Sequence, residues 1–248
     1  MAMVVNTNIA TENTQRLLDQ VSRVQAQSME RLTTGLKVNS SRDNASGLAV
    51  INNMTSQLKG LDIASNNAND GINMVQVADS SLSDSTELLQ RMRELGLQAM
   101  NSSYSSAQRN DMNTEFQQLN NDLTRIASAT KFNNQTLLTG SSFGIHVGWD
   151  SDATGTIMMS GFHLASVQSD VKTMQNASLA VVSISSRLQS IQTQRAKWGA
   201  VVNRVEKAIS GIDRLSLSTK ESRSRLMDTD YAVESATLAR TQVSQQAG

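Results

Sequence analysis

The chain has 248 residues, with 22 Lys and Arg against 22 Asp and Glu, and so no formal net charge at pH 7. This balance provides no basic field for nucleic acid, and no run of about 18 apolar residues is present to span a membrane. With no cysteine, no proline and 3% aromatic residues, the composition excludes disulfides and favours long helices whose cores are built from aliphatic side chains.

A first helix is predicted from apolar residues that recur at helical spacing between Leu17 and Leu36. Thr11 or Asn13 is placed to cap its beginning, because Thr and Asn side chains accept hydrogen bonds from the free N–H groups of a first turn. The turn-forming residues that follow predict that this helix breaks between residues 35 and 43.

A much longer helical pattern begins near Asn44 and continues to Met100. At 1.5 Å per residue, such a helix would be about 85 Å long, far longer than a small globular domain is wide. The sequence NSSYSS predicts its end and a cap for a third helix. The apolar residues of that third helix step by four and three, as in a two-helix seam: Met112, Phe116, Leu119, Leu123 and Ile126.

Between residues 131 and 166 the helical pattern stops and glycines cluster. The stretches IHV and TIMM, separated by a turn rich in Asp and Gly, predict a single small β-hairpin. Both histidines, His146 and His163, lie in this segment. They have no metal-binding spacing, so we interpret them as structural or solvent-exposed.

From Val171 onward, two series of residues repeat every seven positions, which predicts a coiled-coil helix. Arg195 is the single charge in the first series, and Gly199 is the one expected interruption. The pattern ends before a last helix that begins near Asp230. The first series is Met174, Val181, Leu188, Val202 and Ile209, and the second is Ala177, Ile184, Ile191, Trp198, Val205 and Ile212.

The sequence has neither an HExxH metal-binding motif nor a GxxxxGK[ST] phosphate-binding loop. We therefore expect no enzyme activity, no catalytic residue, no cofactor and no metal. A belt of polar residues lies within the long second helix. Asn is a poor helix former, so its repeated presence in a helix interior calls for a structural or functional explanation. This belt is either a solvated helix face or a subunit contact made by amide hydrogen bonds, and its residues are Asn66, Asn67, Asn69 and Asp70.

Long motifs stand at both ends of the chain. The N-terminal ones are VVNTNIATENTQRLL, SMERLTTGLKVNSSRDNASGLAV, LKGLDIASNNANDGINMVQVADSSL and LLQRMRELGLQAMN. The C-terminal ones are WGAVVNRVEKAI and SRSRLMDTDYAVESATLARTQVSQQAG. They resemble the two terminal regions of the bacterial flagellin family, and the stretch KFNNQTLL resembles the family's exit from its third helix. These motifs are long and in the family's order, and the resemblance extends over nearly the whole chain.

The resemblance implies a mainly α fold: an elongated rod of long antiparallel coiled-coil helices with one β-hairpin segment at about residues 132–166. It divides the chain into paired terminal helices, 1–43 and 226–248, that form the inner layer of a filament, and a helical rod domain, 44–225. It also implies a short form of flagellin without large outer domains. The family's C-terminal helix continues beyond QQAG, so we expect the C-terminal end to be truncated.

The function implied is that of a structural subunit that self-assembles into the flagellar filament, a helical propeller for motility. A hook–filament junction protein and a coiled-coil, adhesin-like secreted protein are the alternatives. The partners implied are other flagellin subunits, an export chaperone at the C-terminal region, and the filament cap and hook-junction proteins. The expected location is extracellular, after export by the flagellar type III route without a cleavable signal peptide.

The resemblance further implies recognition of the rod by the host Toll-like receptor for flagellin, through Gln90, Arg91, Leu95 and Glu115. Arg91 lies about 200° around the second helix from Leu89, so it is expected to point away from the core. Leu95 lies only four residues past Arg91. We therefore expect it to be partly exposed beside the guanidinium, as in an interface hot spot.

Overall fold

A computed structural model of the chain describes residues 8–247, which form five α-helices, one short 3-10 helix at Ala153–Gly155 and two small antiparallel strand pairs. The first seven residues of the predicted terminal segment 1–43 lie outside the described residues. The helices are α1 Ile9–Thr34, α2 Ala45–Ala99, α3 Ser106–Ala129, α4 Met174–Met227 and α5 Tyr231–Ala247. The strands are β1 Lys131–Phe132, β2 Gln135–Thr136, β3 Phe143–His146 and β4 Thr156–Met159. The prediction of a mainly α fold is confirmed.

Short polar side chains begin three of these helices. Asn8, rather than the predicted Thr11 or Asn13, caps α1, because its Oδ1 accepts from the N–H groups of residues 10 and 11 at 3.2 and 3.4 Å. Asn44 Oδ1 accepts from Gly47 N at 2.9 Å at the start of α2. Ser105 and Gln108 form a reciprocal capping box at α3, as the NSSYSS stretch predicts.

Contacts divide the chain into two units, residues 8–59 with 215–247 and Gly60–Arg214. In the first unit, α1 packs against α5. The chain leaves α1 through Gly35, whose φ of 73° is readily adopted by glycine. Backbone hydrogen bonds then join this turn to the end of α4, from Lys37 N to Met227 O at 2.7 Å and from Thr229 N to Gly35 O at 3.0 Å. The predicted break after the first helix is confirmed.

In the second unit, α2 and α4 run antiparallel. Three close approaches occur in opposite order along the two helices: at Gly96 and Val181, at Asp79 and Arg195, and at Leu61 and Ile212. The second predicted heptad series of α4 forms the seam, because all six of its members are buried. The first series is only half-buried, and its first member, Met174, is 47% exposed.

A second row of α4 residues also belongs to the seam, and each lies three residues after a member of the buried series. The heptad analysis did not identify this row. It contains Ala180, Arg187, Gln194 and Val201. Its two polar members anchor the segment that follows β4: Arg187 Nη1 donates to the carbonyl of residue 165 at 2.8 Å, and Gln194 Nε2 donates to the carbonyl of residue 160 at 3.0 Å. The buried side of α4 therefore holds loop backbone as well as α2.

Helix α3 adds a third layer and holds another stretch of loop through its amides. Phe116 and Leu123 are fully buried, as the predicted seam requires. Asn120 pairs with the backbone of Val167, accepting from its N–H at 2.8 Å and donating to its carbonyl at 3.3 Å. Asn113 Oδ1 accepts from the N–H of residue 171 at 3.1 Å. These amides replace the pairing that a neighbouring strand would give to residues 167–171.

The predicted hairpin is confirmed as β3 and β4, in which Ile145 pairs with Ile157. It lies on α2 at residues without bulky side chains. A Cβ at Gly60 would be 2.5 Å from the Trp149 carbonyl oxygen, and one at Gly71 would be 2.6 Å from Ile145 Cδ1. The expectation of a single hairpin is wrong, because β1 and β2 form a second one.

The turn of that second hairpin is Asn133–Asn134, with φ values of 46° and 64°. Two consecutive positive φ values are the requirement of a tight hairpin turn, and Asn tolerates them better than most residues. The strands on either side have only two residues each. They are too short for an alternating pattern to reveal.

Candidate functional site

The predicted receptor site centres on an exposed cluster of charges that joins α2 to α3. Arg91 Nε and Nη2 lie 2.9 and 2.8 Å from Glu115 Oε1, and Arg91 Nη1 lies 3.1 Å from Glu94 Oε2. The structure thus brings Arg91 and Glu115 together. The side chains of Arg91, Glu94 and Glu115 are 50%, 67% and 44% exposed.

The carboxylates hold the guanidinium in its charged form. The hydrogen bonds that Arg91 donates to Glu115, and then the one it donates to Glu94, raise the pKa of Arg91 above its ordinary value. The cluster has one positive and two negative groups, so its net charge is −1. A binding partner would meet a guanidinium whose position is fixed by two carboxylates. Gln90 is exposed next to this cluster.

The expectation that Leu95 is partly exposed is wrong, because only 2% of it is exposed and it belongs to the hydrophobic core. The prediction from the angles around α2 assumed that only one side of this helix is buried. In the structure α4 covers α2 at Gly96, and α3 covers it at Arg91, through Glu115. The two neighbours widen the buried arc until it includes Leu95.

Gly96 has a packing role next to this site. A Cβ there would lie 2.7 Å from Val181 Cγ2, closer than side-chain carbons pack. Glycine therefore allows α2 and α4 to approach each other beneath the charge cluster. The backbone freedom that glycine brings to a helix interior, worth about 1 kcal/mol, is compensated by this contact.

The predicted amide belt of α2 divides into two faces. Asn66, Asn69 and Asp70 are exposed on one face, and Asn69 Nδ2 donates to Ser65 O at 2.9 Å. Asn67 is half-buried on the face that carries the hairpin, where its Nδ2 donates to the carbonyl of residue 146 at 3.3 Å. Asn67 thus has an internal partner, whereas the other three face solvent.

Both histidines stabilise loops. His146 Nε2 lies 2.6 Å from Asp150 O, and since a carbonyl oxygen only accepts, this ring nitrogen donates. His146 Nδ1 lies 3.2 Å from Thr156 Oγ1. The main chain at His163 forms an isolated antiparallel β-bridge with that at Thr139. Within residues 8–247, no group of three His, Asp or Glu side chains is arranged to hold a metal ion. Over the same residues, no helix is both long and apolar enough to cross a bilayer.

Two family models match the chain. The bacterial flagellin N-terminal helical region matches residues 5–142, and the bacterial flagellin C-terminal helical region matches residues 181–248. The chain is 34% identical over 253 residues to a flagellin of Halalkalibacterium halodurans, with 99% of this chain and 93% of the relative covered. It is 33% identical over 267 residues to the flagellar filament 31.3 kDa core protein of Treponema maltophilum, with the same two shares covered.

Among solved structures, the crystal structure of Bacillus cereus flagellin is similar, with a TM-score of 0.54 and 23% identity. The likeness covers 59% of this chain and 88% of that one. At 23% identity, this likeness supports the fold alone. The two family models show the relationship in sequence.

Proposed function

The chain belongs to the bacterial flagellin family, and we propose that the surfaces described above are the ones it uses to assemble and to be recognised. It is a structural subunit of the flagellar filament, it polymerises with copies of itself outside the cell, and it is not an enzyme. The observation that carries this function is the match of both helical regions in the family's order. Relatives named as filament core proteins favour the filament over a hook–filament junction protein or an adhesin.

The filament function is tested by elongation. Purified chain added to sheared filament seeds is expected to lengthen them, as seen by electron microscopy, and to sediment with them. Chain that stays in the supernatant at every concentration, while an authentic flagellin elongates the same seeds, would contradict the function.

We assign residues 1–43 and 226–248 to the inner layer of the filament, and residues 44–225 to a rod domain. The pairing of α1 with α5 supports this division: Tyr231 Oη donates to Leu32 O at 2.6 Å, and Arg31 lies 3.7 Å from Glu234. Deleting residues 226–248 is expected to abolish elongation while leaving the core around α2 and α4 folded. Normal filaments from the deleted chain would contradict the assignment.

The export chaperone is proposed to bind the C-terminal region, and the flagellar type III route is proposed to carry the chain out. On α5, Val233 and Val243 are 60% and 66% exposed, so this helix offers apolar side chains to a partner. Pull-down of a flagellar chaperone by the chain is expected to be lost when both valines are changed to Ser. Filament cap and hook-junction proteins are proposed as the neighbours at the two filament ends, on the family resemblance alone.

Recognition by the Toll-like receptor for flagellin is proposed at Gln90, Arg91 and Glu115, with Leu95 supporting them from the core beneath. A partner carboxylate or carbonyl can compete for an arginine that is half exposed. Arg91→Ala is expected to lower receptor signalling by soluble monomer by about tenfold, the effect of one hot-spot side chain.

Arg125→Ala is the matched control, because Arg125 is also exposed and paired with an acid three residues away, Asp122. It is expected to leave the dose response of the reporter cells unchanged. Equal dose responses for Arg91→Ala and Arg125→Ala, with both variants folded, would remove Arg91 from the receptor site.

The exposed amide face, Asn66, Asn69 and Asp70, is proposed as a subunit contact. Its groups can exchange water for hydrogen bonds with a neighbouring copy at little cost when they are exposed. Asn67, the fourth member of the predicted belt, would contribute by holding the hairpin. Asn69→Arg is expected to slow elongation from seeds, and Arg at Asn53, an exposed Asn outside the belt, is the control.

A further inference from the structure

A surface groove lies between α2 and α4, beside the buried seam. Its volume is about 720 Å³, and its lining includes Val75, Asp79, Arg195, Gly199 and Val202. A Cβ at Gly199 would meet no atom within 4 Å, so the missing side chain leaves open space in the groove. Trp198 also lines it, although that side chain is fully buried and donates from Nε1 to Ser160 O at 3.0 Å.

One wall of the groove carries an ion pair that is suited to an aromatic guest. Arg195 Nε and Nη2 bind the two oxygens of Asp79 at 2.7 and 3.1 Å, and each side chain is 39% exposed. The carboxylate bonds to the edge of the guanidinium, so this ion pair does not use the two planar faces of the guanidinium. Such faces stack on aromatic rings, with Trp the best partner.

An exposed indole is present at the tip of the β3–β4 hairpin. Trp149 is 47% exposed. Trp side chains usually bury a large area, and only 3% of the residues of this chain are aromatic. The tip is braced by the bond between His146 Nε2 and Asp150 O and by the 2.7 Å bond from Val147 N to Gly155 O. An exposed Trp on a braced turn is typical of the side chains that anchor protein interfaces.

Trp149 cannot occupy the groove of its own subunit. Its backbone lies against Gly60, and Val75, the nearest groove residue along α2, is fifteen residues farther on. Fifteen helical residues span about 22 Å, well beyond the reach of one side chain. Because Trp149 and the groove are this far apart on one chain, Trp149 can enter only the groove of another copy. This is the head-to-tail contact that builds an open polymer rather than a closed dimer.

We propose that Trp149 of one subunit inserts into the groove beside Gly199 of a neighbouring copy and stacks on the Arg195 guanidinium. The proposal rests on the self-assembly stated above and adds a specific contact to it. Such a contact would fix the distance between neighbouring subunits along the polymer, because both the hairpin tip and the groove are held by packed elements.

Filling the groove tests the recess. Gly199→Leu and Gly199→Ala are both expected to raise the melting temperature of the monomer by about 2–4 °C, since each replaces an unhindered glycine within a helix. Only the Leu variant is expected to block elongation, raising the critical concentration for growth from seeds about tenfold or more. Equal elongation by the two variants would overturn the proposal.

Trimming the projection tests the other partner. Trp149→Ala is expected to raise the critical concentration by a similar factor, and Trp149→Phe to recover part of the loss. Met158→Ala is the control, because Met158 is 56% exposed on the same hairpin but away from the tip. Similar critical concentrations for Trp149→Ala and Met158→Ala would overturn the proposal.

Thiol crosslinking locates the contact directly, since the chain has no cysteine of its own. Filaments of the double variant Trp149→Cys, Gly199→Cys, grown above the raised critical concentration expected for loss of the indole and treated with a short bifunctional maleimide, are expected to give a ladder of covalent oligomers. The pair Trp149→Cys, Lys197→Cys is the control, because Lys197 lies two residues away on the opposite side of α4.

Filaments of the first pair that form at such a concentration but give no ladder would overturn the contact and leave the filament function standing. Failure of the unaltered chain to elongate seeds would overturn both. A ladder from the first pair and none from the control would support insertion at Gly199.

Discussion

Truncating Leu95 separates a core residue from a receptor contact. Leu95 is 2% exposed, and its neighbour two positions along α2, Leu97, is 51% exposed. Leu→Ala removes three carbon groups, worth about 2.4 kcal/mol of transfer free energy at about 0.8 kcal/mol each. A cavity term brings the expected loss in the free energy of unfolding to about 3 kcal/mol at Leu95, against at most about 0.5 kcal/mol at Leu97.

For a chain of this size, 3 kcal/mol corresponds to a fall in melting temperature of about 6–12 °C. Thermal unfolding of Leu95→Ala and Leu97→Ala, followed by circular dichroism at 222 nm, measures the difference. Receptor signalling is then assayed at a temperature where both variants are folded. A normal melting temperature for Leu95→Ala together with a large loss of signalling would show that Leu95 is a surface contact, and would refute the burial argument.

Three further changes test the packing around the same helices. Asn113→Ala removes the acceptor of Val171 N and should lower the free energy of unfolding by about 1–3 kcal/mol in a denaturant titration; no change would mean that this N–H has another acceptor. Gly96→Leu forces a side chain against α4 and should lower the melting temperature through a cost of about 1–3 kcal/mol, whereas a rise would contradict the close approach. The hydrogen bond from Asn176 lowers the pKa of Asp170 below 3.8, so Asp170 adds stability above about pH 4 and loses it as the pH falls through its folded pKa. Asp170→Asn should therefore destabilise the chain at pH 7 and converge with the unaltered chain once the pH falls below the folded pKa of Asp170, and a difference independent of pH would contradict this linkage.

The sequence predicted the long helices well because burial along a helix leaves a repeating apolar pattern. The series from Ala177 to Ile212 was identified from its spacing alone, and each of its members is buried. The pattern could not reveal the second row of the seam, since two of its positions are Arg187 and Gln194. These residues are useful inside because they bond to loop backbone, and hydropathy does not report a partner so distant in sequence.

The error at Leu95 has a different origin. A helical wheel gives the angle between residues but not the number of neighbours that cover the helix. Arg91 and Leu95 are close in angle, yet Arg91 reaches over the edge of the core to Glu115 while Leu95 fills the core. The pair of Asn residues at 133 and 134 was missed for a third reason, since its two-residue strands carry no periodicity.

Polar groups inside and outside this chain have different consequences for assembly. Inside, Asn113, Asn120 and Gln194 are bonded to loop backbone, so they fix the loops. Outside, amides such as Asn66 are exposed to solvent, and exchanging water for a subunit hydrogen bond gains only about 0.5–1.5 kcal/mol. Contacts of that size hold a subunit only when several neighbours act together. A projecting indole such as Trp149 is therefore the feature able to fix where those weak contacts form, and losing one exposed amide should matter far less than losing that ring.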